Sequence, residues 1–269
     1  DIDEVWSVYA AARGAYVSRM GSAQMLRKLT LQQRKLRVRR YLQKTQRDCT
    51  EFVQHRSFNH NFLCDRNHWH LLQRFMLFPE AMVGEGTPLK LGKSASVVRI
   101  QVDGQSYIVK RYNIKSWSHR IRRWFKRRAR DAWCNGHMLA FLGIDTAKPI
   151  ALLEQKWGWF RGVCYLVMPD CGERNLGQEL ATHPERFANY AEATIGLLQG
   201  LAAAGLQHGD LKATNFVLMR NRVVLIDYDA VQPGAVDKDI ARFLANWADD
   251  TQLQAQWSAA LAQRCVIAN

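Results

Sequence analysis

His208-Gly209-Asp210-Leu211-Lys212-Ala213-Thr214-Asn215, followed shortly by Val223-Val224-Leu225-Ile226-Asp227-Tyr228-Asp229, is the text that decides the fold. The first stretch spaces a histidine, a carboxylate and an amide as H-x-D-x-x-x-x-N. It comes directly after a helical run carrying Phe187, Tyr190, Ala191, Leu197, Leu198 and Leu201, which stops at Gly205. The second stretch is an apolar strand ending in a carboxylate. Two short strands, Asn215 to Met219 and Val223 to Ile226, join the motifs through the polar turn Arg220-Asn221-Arg222. A plain helix–loop–hairpin with solvated aspartates is the bland alternative, and it requires both motifs to fall at this separation by coincidence.

Phosphoryl transfer from ATP needs a cation on the phosphates, carboxylates or amides on magnesium, and a carboxylate near the acceptor hydroxyl. Each part is present in the expected order. Asp210 is placed to accept or orient the acceptor proton, and Lys212 to neutralise charge on the moving group. Asn215 and Asp227 are the expected magnesium ligands. Lys110 ends the strand Tyr107-Ile108-Val109-Lys110 and is expected to grip the α- and β-phosphates; alone it would read as a solvated edge lysine, and the downstream motifs reverse that reading. Lys93, Ser94 and Ser96, in Gly92-Lys93-Ser94-Ala95-Ser96, are expected to cover the phosphates with backbone N–H groups, although one glycine departs from G-x-G-x-x-G. Met168 is placed with the nucleotide-contacting residues. A glutamate to pair with Lys110 is not evident. Asp131 is the nearest acid in the following helix, so either Asp131 reaches Lys110, or the lysine is held otherwise, or the chain is a degraded, binding-only pseudokinase.

The pattern before these motifs is mostly strand. Val97 to Val102 and Gln105 to Tyr112 flank Asp103-Gly104, whose preference for positive φ predicts a type I′ hairpin. Ile150 to Leu153 and Gly162 to Met168 predict another across Trp157-Gly158-Trp159. Between them a helix through Trp133, Leu139 and Leu142 stops at Gly143. Thr182-His183-Pro184-Glu185 reads as a capping box opening the helix that runs to Gly205. The prediction is an α+β, two-lobed protein-kinase-like fold: a small antiparallel-sheet N-lobe over 89–168, a mainly helical C-lobe over 169–269, and a basic helical N-terminal extension over 1–88 with a short hairpin between Cys49 and Cys64.

Of the 269 residues 48% are apolar, enough for a two-lobed domain, and 23% are charged, which gives no case for disorder. The imbalance of 38 Lys+Arg against 24 Asp+Glu, a net +14, favours polyanionic partners. Arg120, Arg123 and Arg127 lie in a basic run interleaved with Trp117, Trp124 and Phe125. It is expected to meet an anionic acceptor or membrane interface. Nucleic-acid phosphates would suit the same run and are the less favoured partner. A solvated helix face is its plain alternative. Six scattered cysteines without a C-x-x-C pair read as reduced thiols of a cytosolic chain. Cys64 with His68 and His70 lacks a fourth ligand for zinc. No apolar run is long enough for a bilayer, and the acidic N-terminus does not read as a signal peptide. The chain starts without Met, as a piece trimmed from a longer protein would.

From Leu89 to Trp247 the chain resembles the bacterial lipopolysaccharide kinase family, which includes heptose and Kdo kinases. The resemblance rests on Val109-Lys110-Arg111-Tyr112-Asn113, Asn135-Gly136-His137, Leu142 to Thr146 with Pro149, His208 to Asn215, Ile226 to Asp229, and Asp237 to Leu244. It implies ATP-dependent phosphorylation of an inner-core sugar hydroxyl on the cytoplasmic face of the inner membrane, by a protein peripheral on that membrane. Apart from the resemblance, the basic N-terminal extension leaves room for a protein partner. Two features agree with a non-peptide acceptor. Gly209 stands where many protein kinases carry an Arg that reads a phosphorylated loop, and almost no activation segment separates Asp229 from the helix near Val236. An atypical protein kinase and a non-catalytic pseudokinase are the alternatives.

Overall fold

The structure is a computed structural model and describes residues 7–8, 11, 23–113, 128–158, 160–219 and 222–264. The chain divides into two compact units, residues 1–43 and 44–269. In the first, helix α1 (Ala23–Lys44) contains no acidic residue and leaves Met25, Leu29, Leu31 and Leu36 exposed.

The second unit begins with a seven-stranded antiparallel sheet in the order β1-β2-β6-β7-β5-β4-β3. Its strands are β1 (Phe52–Arg56), β2 (His60–Asp65), β3 (Thr87–Leu91), β4 (Ala95–Val102), β5 (Gln105–Tyr112), β6 (Ala151–Trp157) and β7 (Phe160–Pro169). The β4–β5 turn forms as the sequence predicts: Asp103 and Gly104 take φ of 48° and 78°, and Val102 pairs with Gln105. The hairpin between Cys49 and Cys64 also forms. It does not stand apart, because β2 pairs with β6 from His60↔Gln155 to Cys64↔Ala151. Phe52, Phe62, Leu63 and Cys64 are all buried there, so the sheet draws on residues that precede 89.

Successive side chains of a strand point to opposite faces. Tyr107 and Val109 join Val98, Ile100, Leu153, Tyr165 and Val167 in one core, closed by Leu72 and Phe75 of α2 (Trp69–Leu77) and Met82 of α3 (Pro79–Glu85). Arg111 points the same way and pairs with Glu80 of α3 at 2.7 Å. Lys110 and Tyr112 therefore emerge on the other face, toward α4 (Arg128–Phe141) and the C-terminal lobe. The strand β7 passes directly into that lobe at Asp170. Arg99 of β4 and Ser106 of β5 both donate to Asp170 Oδ2 at 2.7 Å, tying the crossing to the sheet.

The C-terminal lobe holds α5 (Leu176–Thr182), α6 (Phe187–Ala204), α7 (Asp237–Ala245) and α8 (Thr251–Gln263), with the small strand pairs β8 (Leu206–Gln207)–β11 (Gln232–Pro233) and β9 (Phe216–Met219)–β10 (Arg222–Leu225). Thr182 does not open α6. It is the last residue of α5, and its hydroxyl donates back to Gln178 O and Glu179 O at 3.0 and 3.1 Å. A 3₁₀ turn, Pro184–Arg186, then leads into α6, whose N-terminus has no side-chain cap. The capping-box reading failed because Thr182 finds nearer acceptors one helical turn behind it.

Candidate active site

Helix α6 ends at Gly205 with φ 65°, the left-handed conformation that glycine adopts without a Cβ penalty. The loop that follows is hung on a buried carboxylate. Asp239, 3% exposed in the first turn of α7, accepts from the backbone N–H of His208 and, at 2.9 Å, from that of Gly209. Gly209 has φ 81°, and a Cβ there would lie 2.8 Å from Ala230 O, so both conformation and space demand glycine. An arginine at this position is thus excluded on steric grounds as well. The buried His208 ring reaches Ile226 O through Nε2 at 3.2 Å, and burial lowers its pKa, so the ring is neutral and donates this bond.

Asp210 leaves this anchored turn 34% exposed. Its two oxygens are held by cations: Lys212 Nζ lies 3.0 Å from Oδ2 and Arg242 Nη1 2.8 Å from Oδ1. Arg242 also donates to Gly209 O at 2.8 Å. The two cations fix the direction in which the Asp210 carboxylate faces, so it is placed to orient a hydroxyl. Asn215 donates its amide to Asp210 O at 2.8 Å and is bonded through its carbonyl by Ile226 N at 2.9 Å. Its side-chain Oδ1 accepts nothing among the described residues.

Strand β10 delivers Asp227 beside Asn215, because Leu225 pairs with Phe216. Asp227 is left-handed, with φ 61° and ψ 49°, an uncommon conformation for a residue with a side chain. Lys110 Nζ stands 2.6 Å from Asp227 Oδ1 and 2.9 Å from Asp229 Oδ1. Burial opposes ionisation of Asp227, but the charge and hydrogen bond of Lys110 outweigh it and hold the carboxyl below its ordinary range. Asp229, 12% exposed, also accepts from Tyr112 Oη at 2.9 Å and from Arg128 Nη2 at 3.2 Å.

Of the residues expected at the site, the structure joins Lys110 with Asp227, and Asp210 with Lys212 and Asn215. It does not bring Asp131 to Lys110; Asp131 sits on the exposed side of α4, and the lysine is held by Asp227 and Asp229 instead. Lys93 and Ser94 lie in the β3–β4 turn and Ser96 just inside β4. Asn113 pins this turn, donating to Gly92 O at 3.0 Å and to Ser96 Oγ at 3.2 Å. Met168 pairs with Ile108 one residue before β7 ends. Arg120, Arg123 and Arg127 lie outside the described residues. The sequence reading missed Asp229, Asp239 and Arg242 as contributors. All three lie inside stretches that carry the family resemblance, Ile226 to Asp229 and Asp237 to Leu244, but nothing in their spacing assigned them a role.

The donors suit magnesium. An ionised aspartate and a free amide oxygen flank one hairpin, and magnesium commonly takes one or two protein oxygens, filling its shell with water and phosphate. Among the described residues no group of three or more His, Cys, Asp or Glu could hold a metal alone. Cys64 is buried, donates to Asp65 O at 3.2 Å, and burial raises its pKa, which keeps it a thiol.

No protein-family model matches the chain, and no curated protein matches it in sequence. Among solved structures it is similar to WaaP in complex with acyl carrier protein, at 17% identity and a TM-score of 0.50, over 76% of this chain and 90% of that one. At that identity the likeness speaks to fold alone. With an antiparallel N-terminal sheet and a helical C-terminal lobe that β7 enters at Asp170, the chain has the two-lobed protein-kinase-like fold.

Proposed function

We propose that the protein is an ATP-dependent kinase that phosphorylates a sugar hydroxyl, of heptose or Kdo, in the lipopolysaccharide inner core. The observation that carries the reading is the meeting of Lys110 from the sheet with Asp227 from the C-terminal lobe, 2.6 Å apart across 117 residues of chain, beside the loop that presents Asp210 and Asn215. Lys110 would hold the α- and β-phosphates under the β3–β4 turn. Asp227 and Asn215 would hold magnesium, which would supply positive charge against the nucleotide phosphates. Asp210 would orient the sugar hydroxyl, with Lys212 facing the transferred group. Such a site works chiefly by positioning and electrostatics, which accords with an Asp210 held between Lys212 and Arg242.

A sugar rather than a peptide is favoured by the brevity of the chain after Asp229. Only residues 230–236 precede α7, and Gln232–Pro233 of this stretch are already paired with β8. No described helix is long and apolar enough to cross a membrane. With the net charge of +14, this supports work at an anionic surface on the cytoplasmic side of the inner membrane. WaaP was solved bound to acyl carrier protein. For this chain a protein partner is proposed at the N-terminal extension, where α1 has basic residues and no acidic one.

The test is transfer of labelled γ-phosphate to dephosphorylated core lipopolysaccharide. Asp210→Ala and Asp227→Asn are expected to lower the rate about 100-fold or more. Variants as active as wild type would remove the assignment. Label on added protein and never on the oligosaccharide would make the chain a protein kinase.

A further inference from the structure

We propose that Asp229 is the positioning residue for Lys110, taking from the loop after β10 the task that no acidic side chain of α4 performs. The inference rests on the phosphotransferase reading above and concerns how its nucleotide site is built. Lys110 has two carboxylate partners, and they are not equivalent. Asp227, 39% exposed, faces the cleft and is the ligand assigned to magnesium. Once its oxygens turn to a metal, it offers Lys110 much less. Asp229 is withdrawn, 12% exposed, and carries no other proposed duty.

Three groups fix Asp229 in place. Lys110 and Tyr112 emerge on the same face of β5, and both meet Oδ1, at 2.9 Å each. The other oxygen takes Arg128 at the start of α4, 3.2 Å away. The rings and cations interlock further, with Lys110 Nζ 5.5 Å and Arg128 Cζ 5.7 Å from the Tyr112 ring centroid. The backbone around Asp229 is held as well. Asn135 of α4 donates to Tyr228 O at 2.9 Å and Val231 O at 3.1 Å, bracketing Asp229 on both sides. Tyr228 is buried, its hydroxyl bonded to Ala147 O at 2.7 Å. Helix α4 thus reaches the lysine at second hand, through Arg128 and Asn135, and Asp229 is the piece they steady. A carboxylate fixed this firmly can hold an ammonium ready for phosphate while Asp227 is engaged elsewhere.

The experiment measures MgATP binding to the full chain by calorimetry, with no acceptor present. It also measures the rate at which an amine-reactive acyl-phosphate nucleotide labels Lys110. Asp229→Asn is expected to weaken MgATP binding about tenfold or more and to slow Lys110 labelling. Asp229→Glu is expected to recover part of both. Asp131→Asn is expected to change binding less than twofold. An Asp229→Asn protein that melts like wild type, binds MgATP as tightly and labels Lys110 as fast would overturn the proposal; so would an Asp131→Asn effect of equal size. If Asp229→Asn melts early, the glutamate variant decides: unchanged binding together with lost labelling counts against the proposal. Lys110→Ala separates the two readings. MgATP binding unaffected by Lys110→Ala defeats the phosphotransferase reading itself, whereas binding lost there but kept in Asp229→Asn defeats only the role of Asp229.

Discussion

A buried carboxylate with two backbone N–H groups on it is a costly thing to disturb. Asp239 →Ala would strand the amides of His208 and Gly209 without acceptors and is expected to destabilise the chain by about 2–4 kcal/mol, read as a lower denaturant midpoint at unchanged slope. The helix N-terminus favours the same charge, so Asp239→Asn should also lose stability, though less. Histidines supply a different signal. Burial, with a smaller push from the Lys148 charge, lowers His137 to about 3 from 6.5, and burial lowers His208 as well. In the unfolded chain both would take up protons near pH 6.5. The unfolded state therefore binds more protons as pH falls from 6.5 toward 3. Stability is full above pH 6.5 and is lost below it, by about 1.4 kcal/mol per pH unit for each fully linked group. His137→Phe, whose ring would keep the packing on Trp133 and Phe52, is expected to flatten the fall in stability between pH 6.5 and 4.

At the scale of elements, aromatic rings join three helices of the C-terminal lobe. Trp257 of α8 is fully buried, with ring centroids of Phe187 at 4.7 Å and Phe243 at 4.9 Å meeting it edge-on, and Trp247 stacked at 6.1 Å. It joins α6, α7 and α8, and α7 carries Asp239 and Arg242 to the loop. Trp257→Ala is expected to cost about 3–5 kcal/mol. Because α7 would loosen with it, hydrogen exchange at His208 and Gly209 should rise in the same variant. Helix α4 shows a tighter version of such coupling. A Cβ on Gly136 would lie 2.5 Å from Pro149 Cδ and 2.8 Å from the Tyr228 ring, so the helix approaches the segment after Asp227 at a distance only glycine permits.

Over the whole molecule, charge is the long-range property. A net +14 spread over one chain predicts binding to vesicles containing anionic lipid and not to neutral ones. Raising salt from 0.1 to 1 M shortens the screening length from about 10 Å to about 3 Å, and partitioning is expected to fall at least tenfold over that range. Binding indifferent to salt would show that charge does not drive it. The crossing between lobes is braced locally instead: Arg99 bonds Asp170 and also pairs with Glu173, so the sheet grips the chain on both sides of Gly172.

Local chemistry carried much of the fold into the sequence. Asp103-Gly104 demands positive φ, Gly205 ends a helix, and alternating apolar residues mark strand faces, so the hairpins, the long helix and the loop from His208 to Asn215 could be read from short windows. The Thr182 cap was misread by the same short-range logic, since a hydroxyl chooses among acceptors that only the finished helix sets out. The membership of Phe52–Asp65 in the sheet could not be read, because strand pairing joins residues some 90 positions apart and leaves no periodic mark. The partner of Lys110 belongs to this second kind. Sequence order pointed to Asp131 on the next helix, whereas the folded chain brings Asp227 and Asp229 from 117 and 119 residues away. The sequence by itself determined which residue types the site has and in what order. Only the tertiary structure decided which charges meet, because attraction between ions depends on distance in space and on burial, and neither is a property of position along the chain.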